Sequence, residues 1–262
     1  MADSKLDPNK SYGWTGKILR VNLTDKTVSV SPTDPYKENL GGMGIANKIM
    51  YDEVPAGTDP LSPENKIVFA VGPLTATGVP LAGRTTIASL STYTTDTKDH
   101  QVVDAHCGGM IGAAIKKAGW DAIVIEGASD EPVYLKIDDD DVEIKPADQV
   151  WGQGTRATTE ALSRKEGTDF CVATIGPAGE NLLPYACIIN SRNHSAGAGA
   201  AAVMGSKKLK ALVVRGSQPI YVADPQEVAD LSDYMLREIV GSNNNHVVPS
   251  TQQEWAEYFD KG

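Results

Sequence analysis

Two glycine-rich segments carry the clearest chemistry in this 262-residue sequence, because their backbone could hold an anion. Gly108 and Gly109 open one helical stretch, and Gly197 and Gly199 open another. Backbone N–H groups at a helix start have no partner inside the helix, and glycine lets a phosphate approach them. Close packing of helix against strand explains either segment taken alone. A third segment, residues 41–44, is interpreted as packing.

Polar side chains beside these segments could add charge to an anion site. Arg84 precedes an apolar stretch and offers a permanently charged donor fork to a phosphate or a pterin-type ring. A solvated arginine at a strand end fits the same place. His106 and Cys107 precede the first glycine pair. The second segment is preceded in the same way by Arg192, Asn193 and His194, with Ser195 next.

A metal site made of these side chains is disfavoured by the spacing of its ligands. His106, Cys107 and His194 supply three ligands without the spacing pattern of a zinc site. The nearby acidic residues are tied to no histidine or nucleophile, so we interpret them as structural; they are Asp121, Glu126 and Glu180. A P-loop, a GxSxG motif and a GxGxxG followed by an acid do not occur. Hydrolase, kinase and Rossmann functions therefore have no supporting motif.

The two glycine-rich segments belong to an internal duplication. Residues 108–127 and 197–216 align over 20 positions without a gap. Each is preceded by an apolar run that ends in Gly-Pro, at 71–73 and at 175–177. The pattern predicts two equivalent units of strand, Gly-Pro turn, strand, glycine-rich helix start and strand. Such units usually pack around a pseudo-twofold axis, and a ligand on that axis would have two lobes.

Apolar periodicity predicts an α/β (α+β) chain of many strands with short helices. We expect strands at residues 17–23, 27–30, 66–71, 84–90, 122–126, 132–137, 142–145, 170–175, 185–189 and 210–215. We expect helices at residues 41–52, 108–117, 151–166 (capped by Thr155), 197–204, 224–240 and 252–261. The composition changes near residue 217. The chain is therefore predicted to divide into a β-rich domain, residues 1–217, and the beginning of a helical domain, residues 218–262.

Charge and cysteine content exclude several classes of protein. A net charge of −10 argues against nucleic acid and anionic membrane as partners. The three cysteines form no CxxC pair, which disfavours a disulfide framework or a cubane cluster and favours a reducing compartment. No apolar run approaches the roughly 18 residues of a membrane span. The polar N-terminal residues do not resemble a signal peptide, so a cytoplasmic protein is expected.

Six blocks of the sequence match one known family in order and spacing. The blocks are residues 13–23, 59–66, 72–75, 118–127, 175–181 and 202–207. Over residues 12–217 the chain thus resembles the N-terminal domain of the tungsten-dependent aldehyde:ferredoxin oxidoreductases. In that family the domain is a saddle of two β-sheets related by a pseudo-twofold axis, which agrees with the duplication.

The resemblance implies that this domain holds a tungsten or molybdenum ion on two pterins. It implies a magnesium ion between the pterin phosphates that takes main-chain carbonyl groups, here those of His106 and His194. No catalytic side chain is implied. The implied cofactor contacts are Arg84, His106, Cys107, Gly108, Gly109, Arg192, Asn193, His194, Ser195, Gly197 and Gly199.

The activity that the resemblance implies is oxidation of aldehydes to carboxylic acids, with electrons passed to ferredoxin or an iron–sulfur subunit. In the family the [4Fe-4S] cluster and the substrate pocket come from C-terminal helical domains. This chain alone is therefore expected to be incomplete and to need those domains or a complementary subunit. A homodimer is also compatible with the resemblance.

Two departures from the family pattern keep other functions open. Residues 197–201 read Gly-Ala-Gly-Ala-Ala, where the family usually has Arg-Gly-Gly-x-Gly, so a basic contact is missing. Residues 92–100 are expanded relative to the family. The alternative is a truncated, non-catalytic module of the same fold that acts as a binding or assembly partner. A simple binder of a small phosphate ligand is the third interpretation.

Overall fold

The computed structural model describes residues 6–7, 10–93, 100–191 and 193–240 of the chain. Its strands are β1 Lys17–Asn22, β2 Thr27–Pro32, β3 Ile67–Val71, β4 Thr85–Leu90, β5 Val102–Cys107, β6 Ala122–Glu126, β7 Val133–Asp138, β8 Asp141–Pro146, β9 Cys171–Thr174, β10 Ile188–Asn190, β11 His194–Ala196 and β12 Leu209–Arg215. Its α-helices are α1 Met43–Glu53, α2 Ile111–Lys117, α3 Thr155–Glu166, α4 Pro177–Glu180, α5 Ala200–Ser206 and α6 Pro225–Tyr234. A 3₁₀ helix, Asp34–Asn39, precedes α1.

The strands form two six-stranded mixed sheets with the same topology. The first sheet has the order β2-β1-β6-β3-β4-β5, and the second has the order β8-β7-β12-β9-β10-β11. One pair of strands in each sheet is parallel, β1 with β6 and β7 with β12, and the other named pairs are antiparallel. In both cases the first strand of the hairpin pairs with the last strand of its half. The predicted α/β (α+β) fold with duplicated sheets is therefore confirmed.

The duplication is larger than the sequence pattern predicted. Each half consists of a hairpin, an outer helix, three strands, a short inner helix and a final strand. The outer helices α1 and α3 share too little sequence to reveal this equivalence. The inner helices α2 and α5 lie between the two sheets, and each contacts strands of the opposite half: α2 packs on β9 and β12, and α5 packs on β3 and β4.

The central core lies between the two sheets and around the inner helices. Its sheet residues include Leu19, Phe69, Ile123, Leu135, Ala173 and Leu212, all essentially inaccessible to solvent. Two smaller clusters lie on the outer faces, one beneath α1 and one beneath α3. Because both faces of the sheets are covered, β3 and β4 are buried along their whole length.

A buried ion pair fixes the segment before β1 to the end of α2. Asp121 and Lys116 are inaccessible to solvent, with 2.7 Å between the Lys116 ammonium and the Asp121 carboxylate. The carboxylate also accepts hydrogen bonds from the backbone of Thr15 and Gly16 and from the Thr33 hydroxyl. Burial lowers the pKa of Lys116, although Asp121 opposes that shift. Asp121 therefore has the structural role that the sequence predicted.

The second half also has a buried ion pair, in which a lysine stands where the first half has an aspartate. Lys210 aligns with Asp121 in the duplication, and its ammonium contacts Glu180 and the backbone carbonyl of Gln153. Both members of this pair are almost fully buried. The structure thus confirms the structural interpretation of Glu180, and Glu126 likewise forms an ion pair with Lys66. The two halves share a fold, but the same aligned position carries a negative charge in the first half and a positive charge in the second.

Lys207 joins the two halves through backbone carbonyl groups. Its inaccessible ammonium donates to the carbonyl oxygens of Pro63, Asn65 and Gly127, at 3.2, 2.6 and 3.0 Å. All three carbonyls belong to the first half, whereas Lys207 follows α5 in the second. Burial lowers the pKa of Lys207 from 10.5 to about 8.

This lowered pKa predicts that the protein becomes more stable as pH rises above 8. Between the folded pKa of about 8 and the ordinary value of 10.5, the unfolded chain binds more protons than the folded chain. The free energy of unfolding should therefore rise between pH 8 and 9.5, by up to about 2 kcal/mol. Urea titrations across this range check the prediction, and a Lys207→Met variant should show a smaller rise, because the lowered pKa values of Lys116 and Lys210 still contribute. A free energy of unfolding that falls with pH in both proteins would contradict it.

Several predicted element boundaries were wrong. Helix α3 begins at Thr155 and not at 151, and its N-cap is Gly154 with no side-chain cap, so Thr155 is not the cap. Two edge strands were missed, β5 and β11. The predicted strand at residues 185–189 is the shorter β10. The helix predicted at 252–261 lies outside the described residues.

A separate unit follows the two sheets in sequence. Its described part consists of residues 224–240 and the short segment 78–80. Helix α6 begins at Pro225 and is capped by Asp224, whose carboxylate accepts a hydrogen bond from the Glu227 backbone at 2.9 Å. The predicted helix at 224–240 is therefore an α-helix up to Tyr234, followed by a π-helical turn, Met235–Val240. Within its described part, α6 buries no residue.

Candidate functional site

The two glycine-rich turns lie where the edges of the two sheets meet. Edge strand β5 of the first sheet leads into Gly108, and edge strand β11 of the second leads into Gly197. The strands β5 and β11 contact each other directly. The structure therefore brings the two segments together across the pseudo-twofold axis, as the duplication predicted.

Asn190 at the end of β10 holds the first turn from the other half. Its buried side-chain amide donates to the Gly108 carbonyl at 2.5 Å. The Ser191 hydroxyl donates to the Asn190 side-chain oxygen at 2.7 Å and accepts from the Met110 backbone at 3.2 Å. These bonds fix both sides of Gly109. Sequence reasoning missed Asn190 and Ser191, because their role depends on a contact between the halves.

The first turn has no room for a side chain at its second glycine. Gly109 has a φ of +80°, and a Cβ added there would lie 2.7 Å from the Asn190 side-chain nitrogen. The aligned residue of the second turn, Ala198, has a φ of 55° although it carries a methyl group. Left-handed backbone of this kind costs about 1–2 kcal/mol for an alanine. The turn geometry is thus duplicated, and only the first half has the residue that suits it.

Arg84 places an unpaired cation beside the first turn. Its exposed guanidinium donates at 3.5 Å, a weak contact, to the carbonyl of His106. Among the described residues no carboxylate forms an ion pair with it. A cavity of about 330 Å³ adjoins Arg84 and is lined mostly by apolar groups, including Leu40, Pro73 and Leu81. In a chain with a net charge of −10, an exposed, unpaired arginine beside an open cavity suits an anionic ligand.

His106 presents its backbone, and not its ring, to Arg84. The imidazole Nε2 lies 2.7 Å from the Asp104 carboxylate, and Nδ1 lies 3.1 Å from the Thr86 hydroxyl. These partners hold the ring on the side of the sheet that α1 covers, where Asn47 donates to Asp104 at 3.5 Å. The His106 carbonyl is consequently the group that a bound cation or a donor could use.

The thiol of Cys107 is buried in the central core. Burial raises the pKa of this thiol, although Asn190 and Arg84 oppose the shift. Cys107 is therefore a neutral core residue at neutral pH. Its predicted contact with a cofactor is not supported by any exposed surface, since its exposure is only 2%.

The position equivalent to Arg84 in the second half is Cys187. Strand pairing shows this: Thr85 pairs with Cys107 at the start of β4, and Ile188 pairs with Ala196 at the start of β10. Arg84 and Cys187 each precede those starts and are both exposed. At this pair of equivalent positions, the first half therefore carries a guanidinium and the second half carries a thiol.

His194 is not the counterpart of His106, as the sequence spacing had suggested. The pairing of β11 aligns His106 with Ser195 and Cys107 with Ala196, so His194 corresponds to Ala105. The His194 ring instead packs on the first turn, 3.0 Å from where a Cβ on Gly108 would lie. Asn193 is an exposed turn residue, and Ser195 is exposed on β11. Arg192 lies outside the described residues.

The second glycine-rich turn packs more tightly against protein than the first. A Cβ on Gly199 would lie 2.1 Å from the Thr92 hydroxyl oxygen, and Gly199 has a φ of +77°. Gly197 has more room, with the Cys187 sulfur 3.9 Å from the equivalent point. Both inner helices contain only seven residues. Short helices contribute a small dipole, so among the described residues an anion here depends mainly on Arg84 and on the partly buried backbone of the turns.

The residues present fit a two-lobed anionic cofactor better than a directly bound metal ion. The first half supplies a guanidinium, and both halves present backbone at left-handed turns that face each other. In the part of the chain that the structure describes, no three His, Cys, Asp or Glu side chains gather closely enough to hold a metal ion. His106, Cys107 and His194 accordingly do not form a ligand set.

Each helix in the described part of the chain is too short or too polar to cross a membrane.

Comparison with known proteins matches this fold and this site region. The family model for the aldehyde ferredoxin oxidoreductase N-terminal domain matches residues 18–216. A tungsten-containing aldehyde ferredoxin oxidoreductase of Pyrococcus abyssi is 45% identical over 217 residues, which are 81% of this chain and 35% of that protein. The corresponding protein of Thermococcus kodakarensis is 44% identical over 82% of this chain and 36% of its own length.

A solved structure agrees with the sequence relatives. The active-site complex BamBC of benzoyl coenzyme A reductase, in complex with 1,5-dienoyl-CoA, superimposes with a TM-score of 0.83 at 37% identity. The match covers 92% of this chain and 36% of that one. The chain spans about a third of the length of the relatives it matches. With its family model covering most of the two-sheet fold, this chain belongs to the aldehyde ferredoxin oxidoreductase family and corresponds to the N-terminal domain of those enzymes.

Proposed function

We propose that this chain is the cofactor-holding N-terminal part of a cytoplasmic tungsten- or molybdenum-pterin oxidoreductase. The enzyme would oxidise aldehydes to carboxylic acids and pass the electrons to ferredoxin or to an iron–sulfur subunit. The relatives that carry this name are tungsten-containing, and they support an oxidoreductase at the level of the family. The bound metal would supply the redox chemistry, and this chain would bind and orient its pterin groups.

The observation that carries the proposal is the meeting of two left-handed turns beside the unpaired Arg84. The Arg84 guanidinium would hold one pterin phosphate, and the backbone of Gly108 and Gly109 would donate to it. The second turn, at Gly197 and Gly199, would receive the other lobe, and Arg192 before it would add a second guanidinium. A magnesium ion would take the main-chain carbonyl groups of His106 and His194, although strand pairing makes Ser195, and not His194, the counterpart of His106.

The cluster and the substrate pocket would lie outside this chain. The chain covers 35% of the length of its first relative, so the C-terminal helical domains or a complementary subunit would complete the enzyme. The β-rich domain would end at residue 217, and residues 218–262 would begin the helical region. A homodimer is compatible with this arrangement.

The proposal predicts that Arg84→Gln loses the cofactor without unfolding the domain. Protein purified anaerobically from its native host should contain tungsten or molybdenum, measured by mass spectrometry, and the variant should retain less than about a tenth of it. Binding of pyrophosphate to the cofactor-free chain, followed by calorimetry, should weaken at least tenfold in the same variant. Arg84 is exposed, so the thermal unfolding midpoint should hardly change.

Arg156→Gln is the matched control, because Arg156 is an exposed arginine on α3, far from both turns in the sequence. It should keep the metal content and the pyrophosphate affinity of the original chain. A metal-free chain from the native host, without an iron–sulfur partner, would instead favour the non-catalytic module. Pyrophosphate binding without metal would favour the simple phosphate binder.

A further inference from the structure

A second cavity lies on the outer face of the second sheet, beneath α3. It has a volume of about 320 Å³, within the range of small-molecule sites. Its floor is the ring of Tyr134 together with Val150 and Leu162, all buried. The glycine-rich turns and Arg84 do not line it. The cavity is therefore separate from the proposed cofactor site.

The cavity exists because α3 carries too few large apolar side chains to fill the layer beneath it. Its counterpart α1 buries Ile45, Ile49 and Met50 against the first sheet. Helix α3 buries only Leu162 among large apolar residues, with Thr158 and Thr159 beside it. Ala161 lines the cavity where a longer side chain would occupy it.

Two cations without ion-pair partners border this apolar floor. Lys165 lies with its ammonium 5.3 Å from the centre of the Tyr134 ring. Arg164 uses its Nε to donate to the Glu160 carbonyl at 3.2 Å, and the rest of its guanidinium stays exposed. Among the described residues neither side chain has a carboxylate within ion-pair distance.

The two acidic groups of α3 nearest the cavity are already engaged. Glu166 accepts a hydrogen bond from the Tyr134 hydroxyl at 2.6 Å and pairs with Lys145 at 3.1 Å. Glu160 pairs with Arg156. Among the described residues, the side chains that line the cavity include two cations and no carboxylate, in a protein whose total charge is −10. Asp148 follows the lining residue Ala147 in the sequence but does not itself line the cavity.

We propose that this cavity binds a small molecule with a flat apolar body and one carboxylate group. The apolar body would lie on Tyr134 and Leu162, and the carboxylate would meet Arg164 and Lys165 at the border. Arginine and lysine at a desolvated edge suit a carboxylate, and an aromatic floor suits a flat ring. This site is independent of the cofactor and of the redox reaction.

Calorimetry of the full chain with 3-phenylpropionate tests the proposal, and 3-phenylpropan-1-ol is the uncharged probe. We expect a Kd on the order of 1 mM for the acid, given its few heavy atoms. The alcohol should bind at least tenfold more weakly, because it lacks the carboxylate. The double variant Arg164→Gln/Lys165→Gln should weaken binding of the acid at least tenfold, while Lys26→Gln/Lys117→Gln, which removes the same charge elsewhere, should not.

Ala161→Leu tests the cavity itself. The added carbon atoms should fill the space, abolish binding of the acid and leave the unfolding midpoint unchanged or higher. Absence of binding by the original chain up to about 20 mM acid would overturn the proposal. Equal binding of the acid by the original chain and by all three variants would also overturn it, because the acid would then bind elsewhere.

Discussion

Asp121→Asn should lower the free energy of unfolding by about 3–5 kcal/mol, the largest effect we expect from one conservative substitution. The change keeps the shape of the side chain but removes its charge, and it leaves the Lys116 ammonium buried without a counter-ion. The new amide would also present hydrogen atoms to the backbone N–H groups of Thr15 and Gly16, which now donate to the carboxylate. Because an unpaired buried charge is costly, the loss should exceed that of any single hydrogen bond.

Urea unfolding followed by circular dichroism measures this loss at neutral pH. Asp25→Asn is the control, because Asp25 is exposed in the turn between β1 and β2 and its substitution should change stability by less than about 0.5 kcal/mol. If Asp121→Asn were as stable as the control, the Lys116 ammonium would have to lose its proton or reach water. If Asp121→Asn is destabilised because the Lys116 charge is unpaired, adding Lys116→Met to that variant should recover part of the lost stability.

Gly109→Ala should cost about 3 kcal/mol, whereas the reverse exchange at the aligned position, Ala198→Gly, should change stability by less than about 1 kcal/mol. At Gly109 the new methyl group must enter a left-handed turn and would contact the Asn190 side chain, which holds Gly108. At Ala198 relief of the left-handed strain is offset by the greater freedom of glycine in the unfolded chain.

The pair of exchanges is its own control, since both swap the same two residues at equivalent turns. Unfolding free energies from urea titration give the comparison. The Gly109→Ala chain should also bind pyrophosphate more weakly, because its turn must shift to accept the methyl group. Equal stability of the two variants would mean that the first turn is as tolerant as the second, and that the contact with Asn190 does not constrain it.

Most of the strands followed from the sequence because their apolar runs end in clear turns. The hairpins, β3, β4, β6 and β12 were predicted within a residue or two. The edge strands β5 and β11 were missed because their residues are mixed in polarity: β5 contains Asp104 and His106, and β11 has only three residues. In a short or mixed strand, the alternation of apolar and polar residues is too weak to be recognised in the sequence.

The candidate site was predicted in part. Spacing located the two glycine-rich turns and Arg84, and the duplication predicted that the turns would meet. Asn190 and Cys187 were not found, since the first acts across the two halves and the second is recognised only through strand pairing. The correspondence between Arg84 and Cys187 could be established only from the register of the strands. A one-residue error in predicting a short strand would have changed that register. Whether the predicted residues contact the cofactor remains a prediction for the Arg84→Gln experiment.

The crossed packing of α2 and α5 has a consequence for how the chain folds. Each inner helix covers strands of the other half, and Lys207 binds three carbonyl groups of the half it does not belong to. Each inner helix also packs on its own half, so a separated half would leave exposed the side of its helix that the other half covers. We expect the duplicated region to unfold in one cooperative transition, and a fragment of either half to remain without a stable tertiary structure.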